Sequence, residues 1–166
     1  MKNSHVILIA DDYEDDIFLL KQAFKRAQVP ARLQVVRDGK EALAYLQGEG
    51  EFADRNTHPF PDLLLLDVNM PQMNGFEVLQ WLRGQPRTKR LIVHVLTASS
   101  RESDVERAYE LGANSYIVKP SRMEELVAMV SGLHQWHQFL AFPKNREGRT
   151  ATAQPDPHRP SSILLA

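Results

Sequence analysis

The sequence contains no cysteine among its 166 residues, and this absence excludes disulfide bonds, thiolate nucleophiles and zinc sites built on cysteine. An excess of charge of one sign is also missing, because 20 lysines and arginines accompany 21 aspartates and glutamates, for a formal net charge of −1. Such a balance gives no general electrostatic attraction to nucleic acid or to an anionic membrane. We therefore expect no nucleic acid and no membrane as partners.

A long apolar run is absent from the start of the chain as well. The first apolar run, Val6 to Ala10, spans five residues and is too short for the core of a signal peptide or for a membrane span. A chain with 43% hydrophobic and 25% charged residues is instead typical of a globular protein. Its length allows one domain with a full core but not two, and we expect a cytoplasmic location.

Short apolar segments alternate along the chain with segments of helical periodicity. The predicted strands are, in order, HVILIA, ARLQVV, DLLLLD, LIVHVLT and SYIV. Strands that alternate with helices are joined by right-handed crossovers and form a parallel sheet. The sequence therefore predicts an α/β fold, a doubly wound, five-stranded parallel sheet with helices on both faces. Ser100 and Ser121 are expected to cap the fourth and fifth helices.

The alternating pattern ends at Pro143. Residues 143–166 contain four prolines and no periodicity. We therefore predict one domain over residues 1–142 and a flexible tail over residues 143–166. The tail is too short to be an output domain such as a helix-turn-helix.

Polar side chains follow the apolar runs directly at four of the predicted strands. They are Asp11, Asp12, Asp67, Thr97 and Lys119. The carboxyl ends of parallel strands meet at one edge of the sheet, where reactive groups gather. Asp67 is the most unusual of these residues, because four consecutive leucines precede it and such a run is typical of a strand buried on both faces.

These side chains together suit one chemistry. The three carboxylates of Asp11, Asp12 and Asp67 repel one another at close range, and a hard divalent cation relieves the repulsion. Mg²⁺ prefers such oxygen ligands and keeps free positions that phosphoryl oxygens can fill. An aspartate beside Mg²⁺ can accept a phosphoryl group as a mixed anhydride. Lys119 and Thr97 supply a cation and a hydroxyl group for the phosphoryl oxygens.

Four motifs carry a family resemblance. ADD, LLLLDVNMPQMNG, LTAS and YIVKP, in this order within residues 5–140, resemble the CheY-like receiver domain of two-component response regulators. The resemblance implies the strand order 2-1-3-4-5 and makes Asp67 the phosphoacceptor. It also implies that Mg²⁺ is bound by Asp12, by Asp67 and by the backbone carbonyl of Asn69, with Asp11 acting through water.

The same resemblance assigns the remaining site residues. Thr97 moves to bond the phosphoryl group, Lys119 pairs with it, and Tyr116 is the switch aromatic that turns inward when Thr97 moves. The Lys119–Pro120 peptide is expected to be cis, as it usually is in this family. The protein is then a signalling switch rather than an enzyme, and its only catalysis is its own phosphorylation and dephosphorylation.

Two further segments narrow the resemblance. AYLQGEGEF and AMVSGLHQWHQFLAFP are similar to segments of the single-domain response regulators that are associated with bacterial and cyanobacterial phytochromes. This similarity implies a sensor histidine kinase of the bacterial phytochrome type as the phosphodonor. It also implies a homodimer through the face of the fourth helix, the fifth strand and the fifth helix, and a change in this protein-interaction surface as the output.

Two other functions remain open at this point. A phosphatase of the haloacid dehalogenase class also uses Mg²⁺ and an aspartate after a buried strand. It needs a second acid two residues later, where this chain has Asn69. The second alternative is a module that keeps the fold and binds other proteins but is never phosphorylated.

Two expectations concern aromatic side chains outside the predicted site. His94 lies in a predicted buried strand and is expected to be a hydrogen-bonded core residue. Trp136, Phe139 and Phe142 are expected either to pack against the end of the last helix or to contact a second copy of the chain.

Overall fold

The computed structural model describes residues 4–142, and the predicted tail, residues 143–166, lies outside the described residues. Five strands form one sheet with the order β2-β1-β3-β4-β5. Their bounds are β1 His5–Ala10, β2 Ala31–Val36, β3 Leu63–Leu66, β4 Ile92–Thr97 and β5 Ser115–Val118. All neighbouring strands are parallel, so the predicted sheet and its strand order are confirmed.

An α-helix follows each strand. The bounds of the helices are α1 Glu14–Arg26, α2 Gly39–Gln47, α3 Gly75–Gly84, α4 Glu102–Glu110 and α5 Met123–His137, with a short 3₁₀ helix at Gly50–Phe52. Helices α1 and α5 pack together on one face of the sheet, and α2, α3 and α4 lie on the other. The predicted helices on both faces are therefore confirmed. Within residues 4–142, none of the helices has the length and apolar character needed to cross a membrane.

The position of β3 in the centre of the sheet explains its run of leucines. Leu64 and Leu66 belong to the core under α2, α3 and α4, whereas Leu63 and Leu65 belong to the core under α1 and α5. Successive side chains of a strand alternate between its faces, so a strand with helices on both sides buries every position. Asp67 directly follows this buried segment.

The starts of α4 and α5 differ from the prediction. The prediction that Ser100 and Ser121 cap these helices is wrong. Helix α4 begins after Arg101 and α5 after Arg122, with no side-chain cap at either residue. Acidic residues occupy the first turn of both helices. Because negative charge near a helix N-terminus is stabilised by the helix dipole, these helices begin without a capping serine.

His94 on β4 is buried and hydrogen-bonded at both ring nitrogens. Its Nδ1 lies 2.6 Å from Ser115 Oγ on β5, and its Nε2 lies 2.9 Å from His137 Nε2 at the end of α5. Burial, with a smaller contribution from His137, lowers the pKa of His94 to about 4. The expectation of a hydrogen-bonded core histidine is confirmed.

The aromatic residues at the end of α5 divide into two groups. The Phe142 ring packs against His5 and His137, at centroid distances of 5.1 and 6.0 Å. Trp136 and Phe139 are instead 62% and 85% exposed. Phe142 therefore packs against the end of the helix, whereas Trp136 and Phe139 lie on the surface.

Candidate functional site

The carboxyl ends of β1 and β3 bring three aspartates together. Asp11 and Asp12 follow β1, Asp67 follows β3, and one carboxylate oxygen from each lies within 4.8 Å of the others. Asp11 and Asp67 are only 4% and 7% exposed, whereas Asp12 is open to solvent. A cluster of carboxylate oxygens with one accessible side has the donor set that a hard divalent cation prefers.

Lys119, directly after β5, reaches into the same cluster. Its Nζ donates to Oδ2 of Asp11 at 2.7 Å, to Oδ2 of Asp16 at 2.7 Å and to Oδ2 of Asp67 at 2.8 Å. Burial by itself lowers the pKa of Lys119, but the hydrogen bonds to the three carboxylates outweigh it and hold the pKa above its usual range. The ammonium group is therefore charged, and each of its N–H bonds has a partner.

Backbone N–H groups orient the two buried carboxylates. Asp11 Oδ1 accepts from the Tyr13 N–H, and Asp67 Oδ1 accepts from the Asn69 N–H, both at 3.0 Å. In each aspartate, Oδ2 is then the oxygen that faces Lys119. Burial raises the pKa of Asp11 despite these bonds, because a carboxylate that leaves water loses hydration.

The loop after β3 packs tightly against the backbone of Asp67, and Gly75 makes this possible. The Gly75 N–H donates to the Val68 carbonyl at 3.0 Å, and a Cβ on Gly75 would lie 2.2 Å from the Asp67 carbonyl oxygen. Helix α3 then starts with a capping box, in which the side chains of Asn74 and Glu77 each accept from the backbone N–H of the other residue. The end of the motif thus fixes the position of Asp67.

Thr97 ends β4 at the same edge of the sheet. It is fully buried, and its Oγ1 has no hydrogen-bond partner among residues 4–142. Leaving a buried hydroxyl unpaired costs roughly 1–3 kcal/mol. The hydroxyl of Thr97 is therefore available to a group that enters the site.

Tyr116 on β5 is linked to the loop that follows Thr97. Its hydroxyl group donates to the Ser99 carbonyl at 2.9 Å. Burial raises the pKa of Tyr116, so the phenol keeps the proton that it donates. A movement of the loop after β4 must therefore break this hydrogen bond or carry the Tyr116 ring with it.

The peptide between Lys119 and Pro120 differs from the expectation. There is no cis peptide bond within the described residues, so the expected cis form is wrong. The trans form is intrinsically favoured by about 0.5–1 kcal/mol at an X-Pro bond. Lys119 reaches all three carboxylates from the trans form.

Asp16 is the site residue that the sequence did not reveal. It lies in the first turn of α1, where an acidic residue is favourable for the helix dipole alone. Asp15 precedes it and has the same apparent role, so the sequence gives no reason to choose between them. The sequence feature that points to Asp16 is weak. Asp16 is an acidic residue shortly after the Asp11–Asp12 pair, in the first turn of the helix that follows β1.

Comparison with known proteins defines the class. Residues 7–131 match the family of response regulator receiver domains. Because this match spans most of the chain, the protein belongs to the response regulator receiver family, as its motifs suggested.

The relatives include phytochrome response regulators. The chain is 37% identical to response regulator Rcp1 of Synechocystis sp. over 139 residues, which are 83% of this chain and 92% of Rcp1. It is also 37% identical to the phosphorylated cyanobacterial phytochrome response regulator RcpA, with a TM-score of 0.77 over 85% of this chain and 99% of RcpA. The Mn²⁺-bound form of Rcp1 aligns with a TM-score of 0.73 and 37% identity over 84% of this chain and 99% of that structure. The narrower resemblance to phytochrome response regulators is confirmed.

Proposed function

We propose that this protein is a phosphorylation-controlled switch in which Asp67 accepts a phosphoryl group from a histidine kinase in the presence of Mg²⁺. The observation that carries the proposal is the position of Asp67: a buried carboxylate at the end of a fully buried strand, 2.8 Å from the ammonium group of Lys119. Membership of the receiver family supports it.

The residues present fit a divalent cation. Asp11, Asp16 and Asp67 contact one ammonium group, and Asp12 lies beside Asp11 and Asp67, so the site carries an excess of negative charge. Asp12, Asp67 and the backbone carbonyl of Asn69 would hold Mg²⁺, with Asp11 acting through water. The bound cation would neutralise charge on the transferred group. The Mn²⁺-bound form of the relative Rcp1 supports a divalent cation in the site.

The chain's own residues then perform the transfer. A carboxylate oxygen of Asp67 attacks the phosphorus of the donor's phosphohistidine, so that a P–O bond forms as the P–N bond breaks. Lys119 donates a hydrogen bond to a phosphoryl oxygen, and the unpaired Thr97 hydroxyl donates another. The movement of Thr97 shifts the loop after β4, and Tyr116, bound to Ser99 in that loop, moves with it.

The output is a change in the face formed by α4, β5 and α5. This face has exposed apolar side chains on each of its elements: Tyr109, Val118 and Trp136 are 50%, 45% and 62% exposed. Exposed apolar patches mark interaction surfaces, and a second copy of the chain is the proposed occupant. The relative RcpA is a phytochrome response regulator, which supports a phytochrome-type histidine kinase as donor. A cytoplasmic location is part of the same proposal.

The test is incubation with Mg²⁺ and a small phosphodonor such as acetyl phosphate, followed by intact-mass measurement. A single labile phosphoryl adduct on the wild type, absent from Asp67→Asn, supports the switch. No adduct with any donor indicates a protein-binding module instead. Rapid turnover of unrelated phosphoesters indicates a phosphatase, although Asn69 stands where that class needs its second acid.

A further inference from the structure

Lys119 has one carboxylate partner more than the proposed reaction uses. Asp11 and Asp67 belong to the cation and phosphoryl site, whereas Asp16 belongs to α1 and is not one of the three clustered aspartates. Its Oδ2 lies 2.7 Å from Lys119 Nζ, as close as that of Asp11. The role of Asp16 therefore has to be sought in what it does to Lys119.

The ammonium group has no N–H bond to spare. It carries three protons, and Asp11, Asp16 and Asp67 accept all of them. Phosphorylation esterifies one oxygen of Asp67, so the bond from Lys119 to this carboxylate passes to the phosphoryl oxygens. These oxygens lie further out than the carboxylate, and Lys119 has to move away from its other partners to reach them. Phosphorylation of Asp67 is therefore a competition for Lys119.

Burial decides which carboxylate gives way. The side chains of Asp11 and Asp67 are 6% and 8% exposed, but that of Asp16 is 32% exposed. Water can replace a lost hydrogen bond at Asp16, whereas a buried carboxylate left without its cation stays unpaired. Of the bonds from Lys119 to the two carboxylates that are not phosphorylated, the bond to Asp16 is thus less costly to break than the bond to Asp11.

We propose that Asp16 is a positioning residue that competes with the phosphoryl group for Lys119. This inference rests on the proposed function. In the unphosphorylated protein, Asp16 holds one N–H bond of Lys119 towards α1. When a phosphoryl group is present on Asp67, Lys119 leaves Asp16 and donates to the phosphoryl oxygen instead. Asp16 therefore lowers the stability of the phosphorylated state relative to the free one.

The neighbouring Asp15 provides a matched control. It lies in the same first turn of α1, its carboxylate interacts with the Tyr13 hydroxyl group, and none of the ion pairs of Lys119 involves it. Asp15→Asn removes the same charge as Asp16→Asn without touching Lys119. A difference between the two variants therefore reports the contact with Lys119 and not the net charge of the site.

The test uses beryllofluoride, a non-covalent analogue of the phosphoryl group, titrated at saturating Mg²⁺ and followed by fluorine NMR. Asp16→Asn should bind the analogue roughly three- to tenfold more tightly than the wild type, because the freed N–H bond has no competitor. Asp15→Asn and the charge-conserving Asp16→Glu should stay within about twofold of the wild type.

A second titration separates positioning from damage. Without beryllofluoride, the Lys119 of Asp16→Asn stays closer to Asp11 and Asp67 and opposes the cation, so Mg²⁺ should bind more weakly than to Asp15→Asn. A structural defect in Asp16→Asn would weaken the binding of both Mg²⁺ and beryllofluoride. The competition for Lys119 instead predicts weaker binding of Mg²⁺ and tighter binding of beryllofluoride. The role of Asp16 would be overturned, and the proposed function left intact, if Asp16→Asn bound beryllofluoride as tightly as Asp15→Asn or more weakly. Failure of the wild type to bind beryllofluoride in an Asp67-dependent way would overturn the proposed function as well.

Discussion

Lys119 Nζ lies 2.8 Å from Asp67 Oδ2, although the two residues follow strands β5 and β3, which are separated by β4 in the sheet. The long lysine side chain spans that distance and places a cation on a carboxylate that is almost inaccessible to water. This contact makes a charge tolerable at the end of a strand made only of leucine.

Replacement of Lys119 by methionine tests the contact. The variant leaves Asp11 and Asp67 buried without a cation, so the free energy of unfolding in the presence of a chelator should fall by about 3 kcal/mol. Saturating Mg²⁺ should restore most of the loss, because the divalent cation takes over the neutralisation. Urea unfolding with EDTA and with Mg²⁺ measures both values. Lys89 is exposed and provides the control, since Lys89→Met should leave the free energy of unfolding unchanged under both conditions. Equal stability of Lys119→Met and Lys89→Met in EDTA would mean that Lys119 does not neutralise the buried carboxylates.

Replacement of Gly75 by alanine tests the packing against Asp67. The new Cβ would lie 2.2 Å from the Asp67 carbonyl oxygen and 2.7 Å from Val68 Cα, so the loop must shift. We expect a loss of about 2 kcal/mol or more in the free energy of unfolding, together with weaker Mg²⁺ binding. Gly84→Ala is the matched control at the end of the same helix, where nothing lies within 4 Å of the new Cβ. A Gly75→Ala variant as stable as Gly84→Ala would show that the loop is not fixed in this way.

The stability of the protein should depend on pH through His94. The pKa of His94 is lowered from 6.5 to about 4 in the fold, so the fold favours the neutral ring. The contribution of the neutral His94 ring to the free energy of unfolding is fully present above pH 6.5 and is lost as the pH falls from 6.5 towards 4. The pKa of the neighbouring His137 is also lowered, first by burial and then by His5 and His134. His137 therefore adds to the loss of stability at low pH.

We expect the titration of His94 to lower the free energy of unfolding by about 2 kcal/mol between pH 7 and pH 5. Urea unfolding at both pH values measures it, and His94→Gln provides the comparison because it keeps a hydrogen-bonding side chain that does not titrate. The variant should show a smaller loss than the wild type over the same interval. Identical pH dependence in the two proteins would mean that His94 is not held neutral.

The proposed self-association should depend on Trp136. Trp136 lies at the end of α5 and is 62% exposed, so Trp136→Glu places a charge in the proposed contact and should produce a monomer. Phe18→Glu alters a residue that is 60% exposed on α1, which is not part of the proposed face. It should leave the association constant unchanged within about twofold. Sedimentation equilibrium of the three proteins measures this. A wild type that is monomeric at high concentration would refute the proposed dimer.

The sequence was sufficient for the fold and for most of the site because both depend on regular patterns. The leucine run of β3 required a helix layer on each face, and the charged residues after four strands had to meet at one edge of the sheet. Details that depend on side-chain reach were not predictable. Asp16 and Asp15 look equivalent along α1, and only the path of the Lys119 side chain, 103 positions away in sequence, distinguishes them.

Local signals also failed where several neighbouring residues could fill the same role. Ser100 and Ser121 are good capping residues, yet α4 and α5 begin one residue further on than a serine cap would place them, after Arg101 and Arg122. Acidic first turns make either start acceptable. Such choices involve differences of about 1 kcal/mol or less, which local sequence does not resolve.

The phosphorylated residue can be identified chemically. The protein is incubated with acetyl phosphate and Mg²⁺, treated with borohydride, which reduces an aspartyl phosphate to homoserine, and digested for peptide sequencing by mass spectrometry. We expect homoserine at position 67 alone, and none when Mg²⁺ is removed by a chelator. Homoserine at Asp11, Asp12 or Asp16, or its absence from position 67 in a protein that has taken up phosphate, would contradict the assignment of Asp67 as the phosphoacceptor.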